Sequence, residues 1–330
     1  MRIAIVGPGA LGCLFAALLF PKKQSEDNSL WLLDHTPDRA HLLNTQGILY
    51  KTADGEQRRS MIPVATNPLE IGAVDVVLVC VKAHALPACI HSCKPLLSPQ
   101  ALVVFLQNGI GHLEIQDQTN LPAIPALASS SEGATLIAPG QVFHAGQGMT
   151  HLGFLHNPTE PQQQLLATLA HKLQQAGLSS SLSPDIRSQL WAKLFINAGI
   201  NPLTALYNRT NGQLLTSCAA RSRLKNIVRE AEAVARASNI AIDTDPLQAT
   251  LAVCKKTTTN ISSMLQDRRH KRPTEIDAIN GAVVREGKRL GIATPFNEEA
   301  VQQIKKMEDE YLNTSRTRMR TSTEAGTERT

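Results

Sequence analysis

Gly7, Gly9 and Gly12 carry a spacing that can hold phosphate. They stand in Gly7-Pro8-Gly9-Ala10-Leu11-Gly12, directly after the apolar run 2–6 and before the helix-forming stretch 13–20. In that setting each glycine does something different. Gly7 permits a tight turn, Gly9 lets the backbone approach a pyrophosphate, and Gly12 allows close helix–strand packing. The phosphates would sit on the helix N-terminus, where free N–H groups and the helix dipole favour negative charge. Gly7, Gly9, Ala10, Leu11 and Gly12 are therefore candidate dinucleotide contacts, the alternative being an ordinary strand–helix turn. Asp34 follows at the end of the next strand-like run, 29–33. An acidic residue there would hydrogen-bond a ribose 2′-OH, the arrangement that suits NAD(H). A 2′-phosphate would be repelled unless a cation such as Arg39 compensates. Asp34 also reads as a helix N-cap.

A second constellation lies far downstream. Lys193, Asn197 and Asn201 fall at i, i+4 and i+8 in KLFINAGIN, which stacks them on one helix face. Such a stripe in an apolar segment is costly to bury unless partnered. The bland reading is a solvated face. Asn201 precedes Pro202, so a helix is expected to bend or end there. Two more segments are odd for a plain helical core: Asn260 to Asp267, with Ser262 and Ser263, and Thr274 to Asp277, with Glu275, followed by Asn280-Gly281. Glu275 alone would pass as a first-turn acid.

The elements that must position these residues divide in two. Strand-like runs at 2–6, 29–33, 74–81 and 101–106, with weaker ones near 48–50, 135–137 and 149–154, alternate with helical stretches. That pattern predicts βαβ units and a parallel sheet. After a helical stretch at 161–176, the runs 185–197, 218–238, 246–265, 274–290 and 297–312 all have helical character. The expected fold is α/β: an N-terminal Rossmann-type dinucleotide-binding domain at 1–180 and an all-α C-terminal domain at 181–313. The tail 314–330, rich in Thr, Ser, Arg and Glu, is expected to be disordered.

Composition narrows the classes. The 330 residues are 42% hydrophobic and 18% charged, with a formal net charge of +5, part of it in the tail. That mild excess and 4% aromatic content argue against a nucleic-acid surface. Six cysteines in so long a chain do not make a disulfide framework, and Cys89 and Cys93 lack a second pair at metal spacing, so no metal is expected. The apolar start resembles a signal peptide, but three glycines and a proline interrupt it and Pro21-Lys22-Lys23 follow. No membrane partner and a cytoplasmic location are the expectation.

With these residues in view, the sequence resembles the ketopantoate reductase family over about residues 1–312. The carriers are GPGALG at 7–12, VKAHAL at 81–86, QNGIG at 107–111, KLFINAGINPLTAL at 193–206, NISSMLQD at 260–267 and TEIDAINGAVV at 274–284. The resemblance implies NADPH-dependent reduction of 2-dehydropantoate to (R)-pantoate, on the route to pantothenate and coenzyme A. It implies Lys193 as general acid. Asn108, Asn197, Asn201, Asn211, Asn260, Ser262 and Ser263 would hold the substrate. Lys82, Asn108, Ala134 and Glu275 would join the glycine loop and Asp34 in contacting the cofactor. NADP(H) is the implied cofactor, and Asp34 keeps NAD(H) open. A homodimer is also left open. Two departures stand out. Many relatives place an Arg near the position of Asp34, and a Thr-rich segment followed by His or Tyr where this chain has Ala128-Ser129-Ser130-Ser131-Glu132-Gly133-Ala134. Two other readings stay open: a related reductase of another 2-oxo acid, and a non-catalytic NAD(P)-binding sensor.

Overall fold

The aliphatic runs IAIV, VVLV and LVVF have no polar member, and each becomes a strand buried on both faces. In the computed structural model, which describes residues 1–20, 29–113 and 121–327, they lie side by side. The chain divides into two units. One comprises Met1–Asn108 and His112–Leu190, the other Gly109–Gly111 and Trp191–Thr330.

The first unit contains twelve strands among the described residues: β1 (Ile3–Val6), β2 (Leu30–Leu33), β3 (Ile48–Thr52), β4 (Gln57–Ser60), β5 (Val64–Ala65), β6 (Val76–Val79), β7 (Leu102–Phe105), β8 (Ile124–Ser130), β9 (Gly133–Ala138), β10 (Gln141–Gly146), β11 (Thr150–Gly153) and β12 (Ser180–Leu182). Eight form one sheet in the order β12-β11-β8-β7-β6-β1-β2-β5. Its neighbours are parallel except β8 and β11. The order reverses at β1, between β2 and β6, and sheets of this kind bind ligands at the carboxyl ends beside that switch. The helices of this unit include α1 (Ala10–Leu19), α2 (Pro37–Gln46), α3 (Pro68–Ile71), α4 (Leu86–Cys93) and α5 (Glu160–Gln175). A capping box starts α5, with Thr159 N donating to Gln162 Oε1 at 2.8 Å.

A second sheet, β4-β3-β10-β9, takes up the weaker runs near 48–50 and 135–137 as β3 and β9, while β4 and β10 do not follow from the strand-like runs of the sequence. Helix α1 packs against both sheets, touching β1 and β2 on one side and β3, β9 and β10 on the other. Cys13 through Ala17 are consequently all buried. An all-round apolar helix buried between two sheets accounts for the signal-like start of the sequence.

The second unit is helical: α6 (Ile186–Tyr207, which begins in the first unit), α7 (Cys218–Ala237), α8 (Pro246–Lys256), α9 (Ser263–Arg269), α10 (Asn280–Leu290) and α11 (Pro295–Thr327). Several expected boundaries move. The division falls after Leu190 rather than 180, because β12 pairs with β11 and keeps 180–182 in the sheet. The run 246–265 is two helices, each with its own side-chain cap at Asp245 and Ser262. The run 274–290 becomes helix only from Asn280, since Glu275 O accepts from Ala278 N and Ile279 N in a preceding turn. Helix α6 neither stops at Asn201 nor ends at Pro202 but continues to Tyr207. Helical backbone also runs through 314–327, a stretch with no proline and no glycine before Gly326. Among the described residues, no helix is long and apolar enough to cross a membrane.

Candidate active site

The glycine loop connects β1 to α1 at the switch in strand order. Gly7 has φ of +91°, and a Cβ there would stand 2.6 Å from Val81 Cγ1. A Cβ on Gly12 would lie 2.2 Å from the Gly7 carbonyl oxygen. Both positions exclude a side chain because protein atoms, Val81 at Gly7 and the loop's own carbonyl at Gly12, already fill the space. Gly9 differs: its Cβ would meet nothing within 4 Å, so its missing side chain leaves open space. Helix α1 starts there with no side-chain cap and no acidic residue in its first turn. Its leading N–H groups, those of Ala10 and Leu11 among them, thus suit an anion. The loop therefore fits a pyrophosphate on its own geometry.

Asp34 directly follows β2 with its side chain fully buried (0% exposed), while Arg39 beside it is 30% exposed. Arg39 binds the carboxylate with both arms of its guanidinium, Nη2 to Oδ1 at 2.6 Å and Nε to Oδ2. Thr36 N adds a third bond to Oδ1 at 3.0 Å. The bonds to Asp34 hold the Arg39 guanidinium above its usual pKa. Asp34 is therefore no helix cap; it is a carboxylate already paired. Lys82 precedes the short 3-10 turn Ala83–Ala85 that follows β6, and Asn108 follows β7; both are half-buried. Between them works Gln107, which opens the QNGIG motif but takes no role from it. Gln107 is buried, and its Nε2 donates to the carbonyls of Val79 at 2.9 Å and Val81 at 3.0 Å. It ties the end of β6 to the turn that carries Asn108.

Ala134 lies in β9, opposite His144 of β10. The unusual Glu132 before it has a buried side chain, 2.7 Å from His144 Nε2, and His144 Nδ1 is 3.1 Å from Tyr50 Oη. These three side chains anchor the start of the strand that bears Ala134.

In the second unit, Lys193, Asn197 and Asn201 all lie on α6. Lys193 and Asn197 are half-buried and Asn201 is buried. Burial pulls the Lys193 ammonium down to about 8, and the Glu275 carboxylate opposes that fall. Glu275 is itself 8% exposed. Asn211 is buried, with its N bonded to Asn260 O at 3.0 Å and its Nδ2 to Thr257 Oγ1 at 2.8 Å. Its Oδ1 is buried without a partner, an acceptor in want of a donor. Asn260 and Ser263 are exposed. Ser262 behaves differently. Its hydroxyl accepts from Leu265 N as the cap of α9 and lies 2.6 Å from Thr204 Oγ1. Those bonds occupy the hydroxyl expected to hold substrate, so Ser262 shapes the segment while Ser263 presents a free face. The backbone of 109–111 joins this unit through Ile110 N and Gly111 N, which donate to Ala278 O at 3.1 and 3.3 Å.

Chemically, one region offers unpaired backbone donors to a phosphate, and the other offers an ammonium beside a carboxylate among side-chain amides. Among the described residues, no group of three or more His, Cys, Asp or Glu could hold a metal.

Comparisons with known proteins agree over most of the chain. The family described as ketopantoate reductase PanE/ApbA matches residues 3–157, and its C-terminal family matches residues 185–308. A 2-dehydropantoate 2-reductase of Vibrio cholerae is 31% identical over 317 residues, covering 94% of this chain and 99% of its own. The crystal structure of a PanE/ApbA family ketopantoate reductase from Ralstonia eutropha JMP134 superposes with a TM-score of 0.84 at 28% identity, covering 94% of this chain and all of that one. D-mandelate dehydrogenase, in a ternary structure with NADH and anilino(oxo)acetate, gives 0.83 at 27% identity, covering 94% of this chain and 99% of that one.

Proposed function

Because this chain belongs to the ketopantoate reductase family, a family of nicotinamide-dependent oxidoreductases, we propose that it reduces the ketone of 2-dehydropantoate to (R)-pantoate, with Lys193 as proton donor. The observation that carries this reading is the Lys193 ammonium, held on a helix stripe with Asn197 and Asn201 and opposed by Glu275. A reduced nicotinamide cofactor, when bound, supplies the hydride. Gly7, Gly9, Ala10, Leu11 and Gly12 would hold its pyrophosphate by backbone N–H groups, with Lys82, Asn108 and Ala134 as further contacts.

Addition to the ketone carbon places negative charge on the carbonyl oxygen. Lys193 Nζ stabilises that charge and then gives up a proton to it. A lysine near pKa 8 suits this step, being about nine-tenths protonated at pH 7 yet a readier donor than an ordinary lysine. Glu275 keeps the ammonium from falling further. Asn197, Asn201, Asn211, Asn260 and Ser263 supply neutral donors and acceptors for the substrate's carboxylate and hydroxyl, and the unpartnered Oδ1 of Asn211 suits a hydroxyl donor.

The cofactor reading favours NADP(H). Asp34 spends both carboxylate oxygens on Arg39 and is buried, so the group offered at the end of β2 is a guanidinium. A guanidinium suits a 2′-phosphate; a paired carboxylate has little left for a ribose hydroxyl. Asp34 thus serves to orient Arg39. The likeness to D-mandelate dehydrogenase keeps a second reading alive, a reductase of bulkier 2-oxo acids. Steady-state assays with 2-dehydropantoate and an aromatic 2-oxo acid, each with NADPH and NADH, separate the two. Higher kcat/KM on 2-dehydropantoate is expected. Higher kcat/KM on the aromatic acid would transfer the site to the second reading, and cofactor binding without turnover would leave a sensor.

A further inference from the structure

Pro202 stands inside α6, four residues after Ala198. A helical residue donates its N–H to the carbonyl four positions back, and proline has none to give. Ala198 is buried, so its carbonyl oxygen lacks a helical donor where water cannot replace it. Asn280 provides the donor. Its Nδ2 lies 3.2 Å from Ala198 O and 3.0 Å from Asn297 Oδ1. Asn280 and Asn297 are both fully buried. Asn297 Nδ2 in turn donates to Glu230 Oε2 at 2.7 Å and to Ile227 O at 3.1 Å. Glu230 also accepts the backbone N–H groups of Phe296 and Asn297, each at 2.9 Å. One chain of hydrogen bonds thus runs from the proline break in α6, through the first residue of α10, to α7 and the start of α11.

The break divides the functional stripe. Lys193 and Asn197 lie before Ala198, and Asn201 lies after it. The relative direction of the two halves depends on what holds the freed carbonyl. Asn280 opens α10 directly after the turn in which Glu275 O accepts from Ala278 N and Ile279 N, so its side chain ties the element that follows Glu275 to the helix of Lys193. We propose that Asn280 is a positioning residue: its carboxamide stands in for the missing proline N–H at Ala198, and so fixes the direction of α6 on either side of Pro202 and with it Lys193 and Asn197 relative to Asn201. The kinetic part of this inference rests on the reductase reading above; the structural part does not.

The test is a double-mutant cycle of Asn280→Ala and Pro202→Ala, read by kcat, the alkaline limb of the pH profile and Tm. Asn280→Ala alone should lower kcat about tenfold, since small misplacements of positioned groups are costly. It should also move the alkaline limb to lower pH, as Glu275 drifts from Lys193. Pro202→Ala restores a backbone donor to Ala198, so in that background the loss from Asn280→Ala should shrink to about twofold or less. Equal losses in both backgrounds would overturn the proposal. So would an Asn280→Ala protein with reduced Tm but unchanged kcat and pH limb. If Asn280→Ala alone does not fold, the double variant decides: folded and close to Pro202→Ala in kcat supports the proposal, and unfolded overturns it. If the wild-type protein turns over no 2-oxo acid, the reductase reading has failed. The Tm cycle then decides the helix repair alone, with a smaller Tm loss in the Pro202→Ala background supporting it and an equal loss refuting it.

Discussion

The glycine loop and the lysine helix solve the problem of holding a charged ligand in opposite ways. The loop is six consecutive residues, and it works by what it lacks: no Cβ at Gly7, Gly9 or Gly12, and no side-chain cap on α1. Its donors are backbone N–H groups, which any sequence has and only a particular turn leaves unspent. The lysine helix works by what it has accumulated. Its parts come from 193–201, 211, 257–263 and 274–280, and each depends on a partner elsewhere: Lys193 on Glu275, Asn211 on Thr257, Ala198 on Asn280. A backbone site is fixed by local sterics, whereas a side-chain site is fixed by a network. The first should fail all at once, the second by degrees.

Gly12→Val is the sharpest way to break the backbone site. Its Cβ would collide with the Gly7 carbonyl, so cofactor affinity should fall on the order of a hundredfold or more. Calorimetric titration with NADPH measures this, and near-normal affinity would mean that the loop is not the phosphate site. Arg39→Ala should weaken NADPH binding roughly tenfold to a hundredfold, the value of a lost charge-assisted bond, and leave NADH nearly unchanged. Equal loss for both cofactors would remove Arg39 from the 2′-phosphate. Glu275→Gln probes the network gently. Glu275 favours the protonated amine, so its neutralisation lowers the Lys193 pKa from about 8. The protonated fraction at pH 7 then drops, and kcat there should fall about twofold, with the alkaline limb displaced to lower pH. A limb that stays in place would show that the carboxylate does not reach the amine.

The same contrast explains what could be read in the sequence. The loop and its strand were legible because glycine spacing and a β-branched run are local signals. The parallel sheet followed from the IAIV, VVLV and LVVF runs. The second sheet was legible only in part: the weaker runs near 48–50 and 135–137 became β3 and β9, but β4 is Gln57-Arg58-Arg59-Ser60, whose polar residues carry no strand signature. The stripe of Lys193, Asn197 and Asn201 was visible by helical spacing, yet its chemistry came only through resemblance. Asp34 was correctly placed at the end of β2, but its pairing with Arg39 depends on a side-chain geometry that spacing does not encode. Ser262 looked like a substrate contact and is a helix cap; the Ser-x-x-Leu step into an apolar run was the signal that could have said so. Gln107 and Asn280 stood inside motifs, QNGIG and TEIDAINGAVV, but their roles gave no signal, because each acts on a backbone carbonyl distant in sequence.

The proton held by Lys193 is the element on which the proposed reaction turns. The deciding measurement is the pH dependence of kcat/KM for 2-dehydropantoate reduction in the wild-type protein and in Lys193→Ala. The wild type should show an alkaline limb near pH 8, and Lys193→Ala should lose about 10²–10⁴-fold in kcat together with that limb. A variant that keeps the wild-type kcat, or that loses rate while the limb persists unchanged, would show that the proton comes from another group.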